Sequence, residues 1–361
     1  MKKRFFLSSL VFFLFGLGAA FAQEIKFSGE AGSFWGTALR SENAGNFVIG
    51  DTYLDGKIDA FYGNSSAFAQ GRVGYDQVQN KSFFDLKEIF LDYTADLWGI
   101  RVGRQKIIWG KADGIDVTNV LCPRDYSSSM ALFEKEYLGI DSARLSLNKD
   151  SLGLDAYFIP FGGYGVEKKI GNAEYALKLS GYFSRLDLSF YGFYGFENKP
   201  YYGQVPAATP ERMEMFGADA AIPAGETVIR IESAFFPSQE KKLRSLAGFD
   251  WMPSGWTFTA QYYCDCLFDE IEKSGGKRSF EHGATLNISK TLFSDTLKLS
   301  ASGLIMLIDF DSVLELSGEY SLSDCIFLKL GAYIFNEGKE KGTYGQYENM
   351  TNIYVKARYL F

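Results

Sequence analysis

Apolar and polar side chains alternate one by one in runs of about ten residues, and such runs fill most of the chain. In an early run Val48, Gly50, Thr52, Leu54, Gly56, Ile58, Ala60 and Tyr62 share one face, and Asp51, Tyr53, Asp55, Lys57 and Asp59 share the other. Leu186, Leu188, Phe190, Gly192, Tyr194 and Phe196 alternate with Asp187, Ser189, Tyr191 and Phe193 in the same way. So do Leu297, Leu299, Ala301, Gly303, Ile305 and Leu307 with Lys298, Ser300 and Ser302. A helix would gather its apolar residues three and four apart, so a period of two predicts strands with one apolar and one wet face.

The breaks between runs sharpen the prediction. From Glu24 onward about eighteen strands fit, with sixteen as the alternative count. Their connections alternate in length. Residues 63–64, 96–98, 149–150, 223–225, 253–255 and 321–324 are short links, whereas 110–136, 160–172, 197–210, 267–279 and 337–348 are long. A soluble sandwich has no reason to sort its loops by parity. An all-β, transmembrane, antiparallel up-and-down barrel does, with short periplasmic turns and longer outer loops. In lipid every backbone N–H and C=O has to be paired, so the sheet is expected to close on itself. A barrel of this size encloses water rather than a packed core.

Both ends fit an exported barrel. Lys2, Lys3 and Arg4, an apolar stretch at 5–18 and the small-x-small triplet Ala20-Phe21-Ala22 read as a signal peptide over 1–22, leaving 23–361 as a single barrel domain. The outer membrane is the expected destination. In the last strand Ile353, Val355, Ala357, Tyr359 and Phe361 form one face. An ending with Tyr359 and Phe361 is similar to the terminal signal read by the barrel-assembly machinery.

Composition narrows the function. Aromatic residues make up 17% of the chain and charged residues 22%, the mixed profile of a wall with lipid outside and water inside. Without the three basic leader residues the formal charge is about -10 (44 acidic against 37 - 3 = 34 basic), and no basic tract suggests a nucleic-acid partner. Cys122, Cys264, Cys266 and Cys325 form neither a disulfide framework nor a metal-ligand pattern, so no metal or other cofactor is expected. Cys264 and Cys266 share one face of a strand and are expected to look toward lipid.

The wet faces carry both signs of charge. Arg72, Arg101, Arg144, Arg230 and Arg244 are among the basic residues, and Asp55, Glu88, Asp92, Glu232 and Asp250 among the acidic ones. Most are expected to neutralise one another across neighbouring strands. A subset at a constriction would select solutes by charge.

One stretch breaks the strand-turn rhythm. The segment RQKIIWGKADGIDVTNVLCPRDY at 104–126 starts as a strand and becomes a polar loop. A long charged insertion in such a pattern is where function is expected. We read 110–136 as a loop folded into the lumen and narrowing it. The candidate pore residues are Arg104, Lys111, Asp113, Asp116, Arg124 and Asp125, together with Arg72, Arg101, Arg144, Glu88 and Asp92 on the wall. Strict alternation turns Arg104 and Lys106 toward lipid, where a charge near mid-bilayer costs roughly 2–4 kcal/mol. Either a bulge at Gly103 returns Arg104 to the pore, which is the preferred expectation, or Arg104 and Lys106 lie high at the polar interface.

This segment resembles a porin-like family of bacterial outer-membrane barrels of poorly defined function. The matching positions are Gly103, Arg104, Gln105, Trp109, Gly110, Asp113, Asn119, Pro123 and Asp125, with Cys122-Pro123 standing where Asn-Pro is expected. The resemblance implies a porin-like barrel and no particular substrate. Two roles fit the motif. In one, Gly103, Gln105, Trp109, Gly110, Asn119 and Pro123 anchor the loop, Trp109 being an interfacial aromatic and Arg104 pairing with a loop carboxylate. In the other, the charges set selectivity.

Rival classes are weaker. A hydrolase needs a nucleophile and usually a His base, and the chain offers only His282, with Ser279 three residues before it. A structural or adhesive surface barrel would use its outer loops, where Tyr201, Tyr202, Tyr344 and Tyr347 suit contact with sugars. Asp113, Asp116 and Asp125 lack the spacing of a calcium loop. The expected function is passive or weakly selective diffusion of small polar solutes across the outer membrane.

Overall fold

The computed structural model describes residues 22–40, 44–112, 114–127, 133–202, 210–238, 241–268, 279–339 and 342–361. Of the expected signal peptide only Ala22 lies within them. The alternating runs become strands β1 (Glu24–Ala38), β2 (Phe47–Tyr62), β3 (Ser65–Asp76), β4 (Lys81–Thr94), β5 (Trp98–Gln105) and β6 (Ile140–Lys149). There follow β7 (Leu152–Ile159), β8 (Glu174–Phe183), β9 (Leu186–Phe196), β10 (Arg212–Ala224), β11 (Thr227–Phe236) and β12 (Lys242–Trp251). The last six are β13 (Trp256–Leu267), β14 (Phe280–Leu292), β15 (Leu297–Met306), β16 (Ser312–Ser321), β17 (Ile326–Asn336) and β18 (Asn352–Leu360).

Each strand pairs antiparallel with its sequence neighbours, and β1 also pairs with β18, from Glu30 opposite Leu360 to Ala38 opposite Asn352. The sheet is thus a closed 18-stranded barrel, and closure leaves no strand edge unpaired. Connections of even parity, such as 63–64, 150–151, 184–185 and 225–226, are tight turns. Asp150, Gly225 and Gly255 take positive φ there, as tight hairpins require. Of the other parity, 106–139, 160–173, 197–211, 268–279 and 337–351 are long, while 77–80 and 307–311 are short.

Period-two alternation sorts the residues as expected. Leu54, Ile100, Val102, Leu145, Phe190, Phe216, Ile231, Leu330 and Val355 are exposed on the outer surface, where burial in lipid is available to them. Asp51, Asp55, Asp219, Glu232 and Asp250 are buried on the inner side. Cys264 and Cys266 alternate with inward Tyr263 and Asp265 and therefore look outward.

The bulge expected at Gly103 lies one strand away. Gln70 faces Glu88 and Gly71 faces Leu86, leaving Lys87 as an extra residue in β4. Lys87 and Glu88 consequently both reach the lumen: the Lys87 ammonium lies 3.2 Å from Asp55, and Glu88 accepts the Lys106 N–H at 2.7 Å. At Gly103 itself the pairing with β4 and β6 runs without a shift. Glycine is required there for another reason. Its φ is +137°, and a Cβ would run into the Ile89 carbonyl and the Phe90 backbone.

Candidate functional site: a loop latched across the lumen

After Gln105 the chain leaves the wall and turns inward. Cys122 Sγ accepts the Ile107 N–H at 3.1 Å, so the start of the loop is tied to its return limb. Ile107, Trp109, Val117, Val120, Leu121 and Cys122 form one apolar cluster with inner-wall residues from β6 to β13, including Ile140, Tyr157, Phe193, Met215, Ala234 and Leu246. Apolar side chains on a lumen wall are unfavourable in water, and the loop covers them. Trp109 is only 4% exposed, with its ring 6.0 Å from Tyr157 and 4.8 Å from Tyr191. It is a packing residue inside the barrel, not an interfacial aromatic. Burial pushes the Cys122 thiol up to about 12, so this cysteine acts as a small apolar group.

A carboxylate on the far wall fixes the loop's path. Glu232 on β11 is 2% exposed and uses both oxygens. One accepts the N–H groups of Lys111 and Ala112 at 2.8 and 3.0 Å, the other the Thr118 N–H and hydroxyl at 2.8 and 2.7 Å. Gly110 has φ +92°, and any Cβ there would collide with that carboxylate. Two arginines hold the loop from the same side. Arg230, paired to Asp250 at 2.5 Å, donates to the Lys111 carbonyl at 3.1 Å. Arg244, paired to Asp265 at 2.6 Å, donates to the Asp116 carbonyl at 2.8 Å. The Lys111 ammonium lies 3.8 Å from Asp187 and 3.9 Å from Asp219.

Within the loop Asp116 is the centre. It takes the Arg124 guanidinium at 2.7 Å, the Tyr137 hydroxyl at 2.5 Å, the Asn119 amide at 3.3 Å and the Lys135 ammonium at 3.5 Å. Burial opposes its charge, but Arg124, Lys135 and Tyr137 outweigh burial and hold its pKa below the ordinary carboxylate value. Asn119 also accepts the Trp109 N–H at 3.3 Å. Arg124 donates to the Gly114 carbonyl at 2.7 Å, and Pro123 is buried with its carbonyl accepting the Leu138 N–H. Asp125 accepts the Ser127 N–H at 2.9 Å, and burial moves its pKa upward.

The return limb reaches other walls. Glu136 meets Arg72 at 3.1 Å, Lys106 at 3.5 Å and Lys87, and Arg72 also holds Asp55 at 3.0 Å. Phe133 packs its ring 4.8 Å from Tyr333 on β17, and Glu134 takes Lys356 on β18 at 2.5 Å. Contacts to β11, β12, β3, β4, β17 and β18 carry the loop across the lumen.

Among the sequence-derived candidates, Arg72, Glu88, Lys111, Asp116, Arg124 and Asp125 gather at this loop. Arg101 and Arg144 sit lower on the inner wall around Asp92, at 2.5 and 3.9 Å. Gln105 is buried and donates to the Ser142 carbonyl at 3.2 Å. Asp113 lies outside the described residues. Arg104 is a correction. It stays on the outward face with Ile100 and Val102 and makes a two-pronged contact with Asp141 at 2.9 and 3.2 Å. Its partner is a wall residue rather than a loop carboxylate, and the pair stands at the outer end of β5, where a charge reaches the interface. Lys106, the other residue expected toward lipid, turns inward because the strand has already ended. His282, the hydrolase candidate, also faces outward, its Nδ1 2.9 Å from the Tyr262 hydroxyl. Glu232, Arg230 and Arg244 were legible only as wet-face charges. Nothing in their local sequence separates them from the rest of the wall.

The loop does not cover the wall evenly. Inner positions on β10 to β12, such as Met215, Asp219, Ala234 and Leu246, are sealed, whereas Asn287 on β14 and Lys298 on β15 are exposed. Ser289, Ser300, Ser302 and Ser317 are partly exposed beside them.

Comparison with solved structures places this architecture. OccD3 of Pseudomonas aeruginosa superposes with a TM-score of 0.59 at 9% identity, covering 94% of this chain and 92% of that one. OccK8 of the same organism gives 0.59 at 10%, covering 94% and 99%. A mutant of the Rh. blastica porin gives 0.51 at 9%, covering 94% and 100%. The barrel has the porin fold. No protein-family profile and no curated protein sequence matches the chain. At such low identity the likeness to these porin-fold barrels concerns architecture alone.

Proposed function

We propose that the protein is a porin-like channel of the bacterial outer membrane for passive or weakly selective diffusion of small polar solutes, reached after export by a cleaved signal peptide. The observation that carries this reading is the Glu232 latch. It fixes a folded-in loop against β6 to β13 and leaves the hydroxyl- and amide-lined inner face of β14 to β16 uncovered. That uncovered face, bordered by the loop with Asp116 and Arg124, is the proposed route through the constriction, while Lys111 turns to the covered wall at Asp187 and Asp219. Arg72, Arg101, Arg144, Glu88 and Asp92 stabilise the wall as paired charges and shape the field beside that route. Membrane lipid covers the outer face. Tyr359, exposed on the outward face of β18 with Phe361 stacked 6.2 Å away, is the proposed signal for the assembly machinery.

The test is planar-bilayer conductance of refolded protein whose folding is checked by heat-modifiable migration. Stable steps of conductance are expected. Correctly folded protein that never conducts would refute the channel.

A further inference from the structure

Among the described residues, a chamber of about 460 Å³ lies on the outer side of the latched loop. Its position is set by Glu197 and Asn198 from the 197–211 connection and Tyr344 from 337–351, all at the long-loop end of the barrel. The volume falls in the range of about 300–1,000 Å³ that small-molecule sites occupy. Resting on the reading of the chain as a diffusion channel, we propose that this chamber is a weak binding site for a neutral carbohydrate of one or two rings, which docks there before passing the constriction.

Three features select that chemistry. First, most of the charges lining the chamber are already paired. Arg124 lies on Asp116 at 2.7 Å and Arg244 on Asp265 at 2.6 Å, while Lys135 and Lys199 lie 3.5 Å from Asp116 and Glu197. An ionic or zwitterionic solute would have to compete with ion pairs already formed and partly desolvated. Asp265 and Glu197 keep spare lone pairs, however, and with the Asn198 amide they offer planar hydrogen-bonding edges suited to vicinal hydroxyls. Second, the floor is apolar, made by Val120, Met213, Phe236 and Met306, and can take the C–H face of a sugar ring. Third, tyrosines converge at this mouth from distant parts of the chain. Tyr344 lines the chamber, Tyr126 and Tyr202 stack at 5.4 Å and 21°, and Tyr202 is 62% exposed. A tyrosine presents an apolar ring and a polar tip together.

The mouth is also held in place before any solute arrives. Tyr126 N–H donates to the Tyr201 carbonyl at 2.7 Å and Tyr201 N–H to the Arg124 carbonyl at 2.9 Å, so the outer loop is stitched to the constriction loop. A preformed site loses less ordering free energy on binding.

The experiment titrates sucrose, and separately glycine, against open single channels of the full-length refolded protein in planar bilayers. A polyethylene glycol of sucrose's hydrodynamic size controls for volume exclusion. The expected result is a saturable, reversible fall in current with sucrose, and only linear, non-saturating changes with glycine and the polymer. Tyr344→Ala and Glu281→Ala, both lining the chamber, are expected to weaken the sucrose effect about ten-fold each. Glu281 is exposed at the start of β14, so its variant tests the site even if Tyr344→Ala fails to fold. Saturation with glycine but not sucrose, saturation with neither, or wild-type saturation in a folded variant would each overturn the carbohydrate site while the open current upholds the channel. A folded protein without any current would overturn both.

Discussion

Glu232 on β11 and Thr118 in the lumen loop are joined twice, because one carboxylate oxygen accepts both the backbone N–H and the hydroxyl of Thr118, at 2.8 and 2.7 Å. The other oxygen takes two more backbone donors, from Lys111 and Ala112. Hydrogen bonds to a charged group contribute about 1.5–3 kcal/mol each, and a buried donor left without its acceptor costs about 1–3 kcal/mol. Glu232→Ala is therefore expected to release the loop from the far wall without unfolding the barrel. Single-channel recordings should show a larger and noisier current with heat-modifiable migration unchanged. A quiet, wild-type current would show that the apolar cluster alone holds the loop.

Gly110 reaches the same latch from the other partner. With φ at +92° and the Glu232 carboxylate filling the space of a Cβ, Gly110→Ala has to displace either the loop or the glutamate. It should reproduce the noise of Glu232→Ala. Because both changes break one contact, the double variant should be little worse than either single one. Full additivity in the recordings would separate the two roles.

Arg104 offers the opposite expectation. Its pairing with Asp141 lies on the outer face, and the two side chains are 28% and 35% exposed. A pair of that exposure contributes about 0–1 kcal/mol. Arg104→Gln should leave the reversal potential in a salt gradient unchanged, whereas Arg124→Gln should shift it toward cations. A shift in Arg104→Gln as large as that in Arg124→Gln would place Arg104 in the ion path.

Acid should loosen the loop, and the sign follows from its two central carboxylates. In Asp116 and Glu136 burial favours the neutral form, yet Arg124 and Lys135 around the first, and Lys87, Arg72 and Lys106 around the second, hold both below their ordinary values of 3.8 and 4.5. Stability from a depressed carboxylate is present above its ordinary pKa and lost as pH falls through its folded value. Asp125, raised by burial, runs the other way: its contribution is full below 3.8 and lost as pH rises through its higher folded value. With two groups against one, current noise should stay low from neutral pH down to the ordinary carboxylate range and rise below it. Noise that rises already near neutral pH would contradict this assignment.

The barrel is written in the local pattern of the chain. Alternation with a period of two fixes which side chain faces lipid at nearly every strand position, and loop parity fixes which end is which, because both are local properties of a strand and its turn. The breakpoint at Trp109-Gly110 and the inward loop were legible for the same reason. Tertiary structure decided the partners. Glu232 lies more than a hundred residues from Thr118, and no local pattern distinguishes it from other wet-face carboxylates until the barrel closes and brings β11 within reach of the loop. The side on which Arg104 stands was decided in the same way. A register slip at Gly103 and one at Lys87 leave similar local traces, and only pairing with the neighbouring strands placed the extra residue in β4 and left Arg104 beside Asp141.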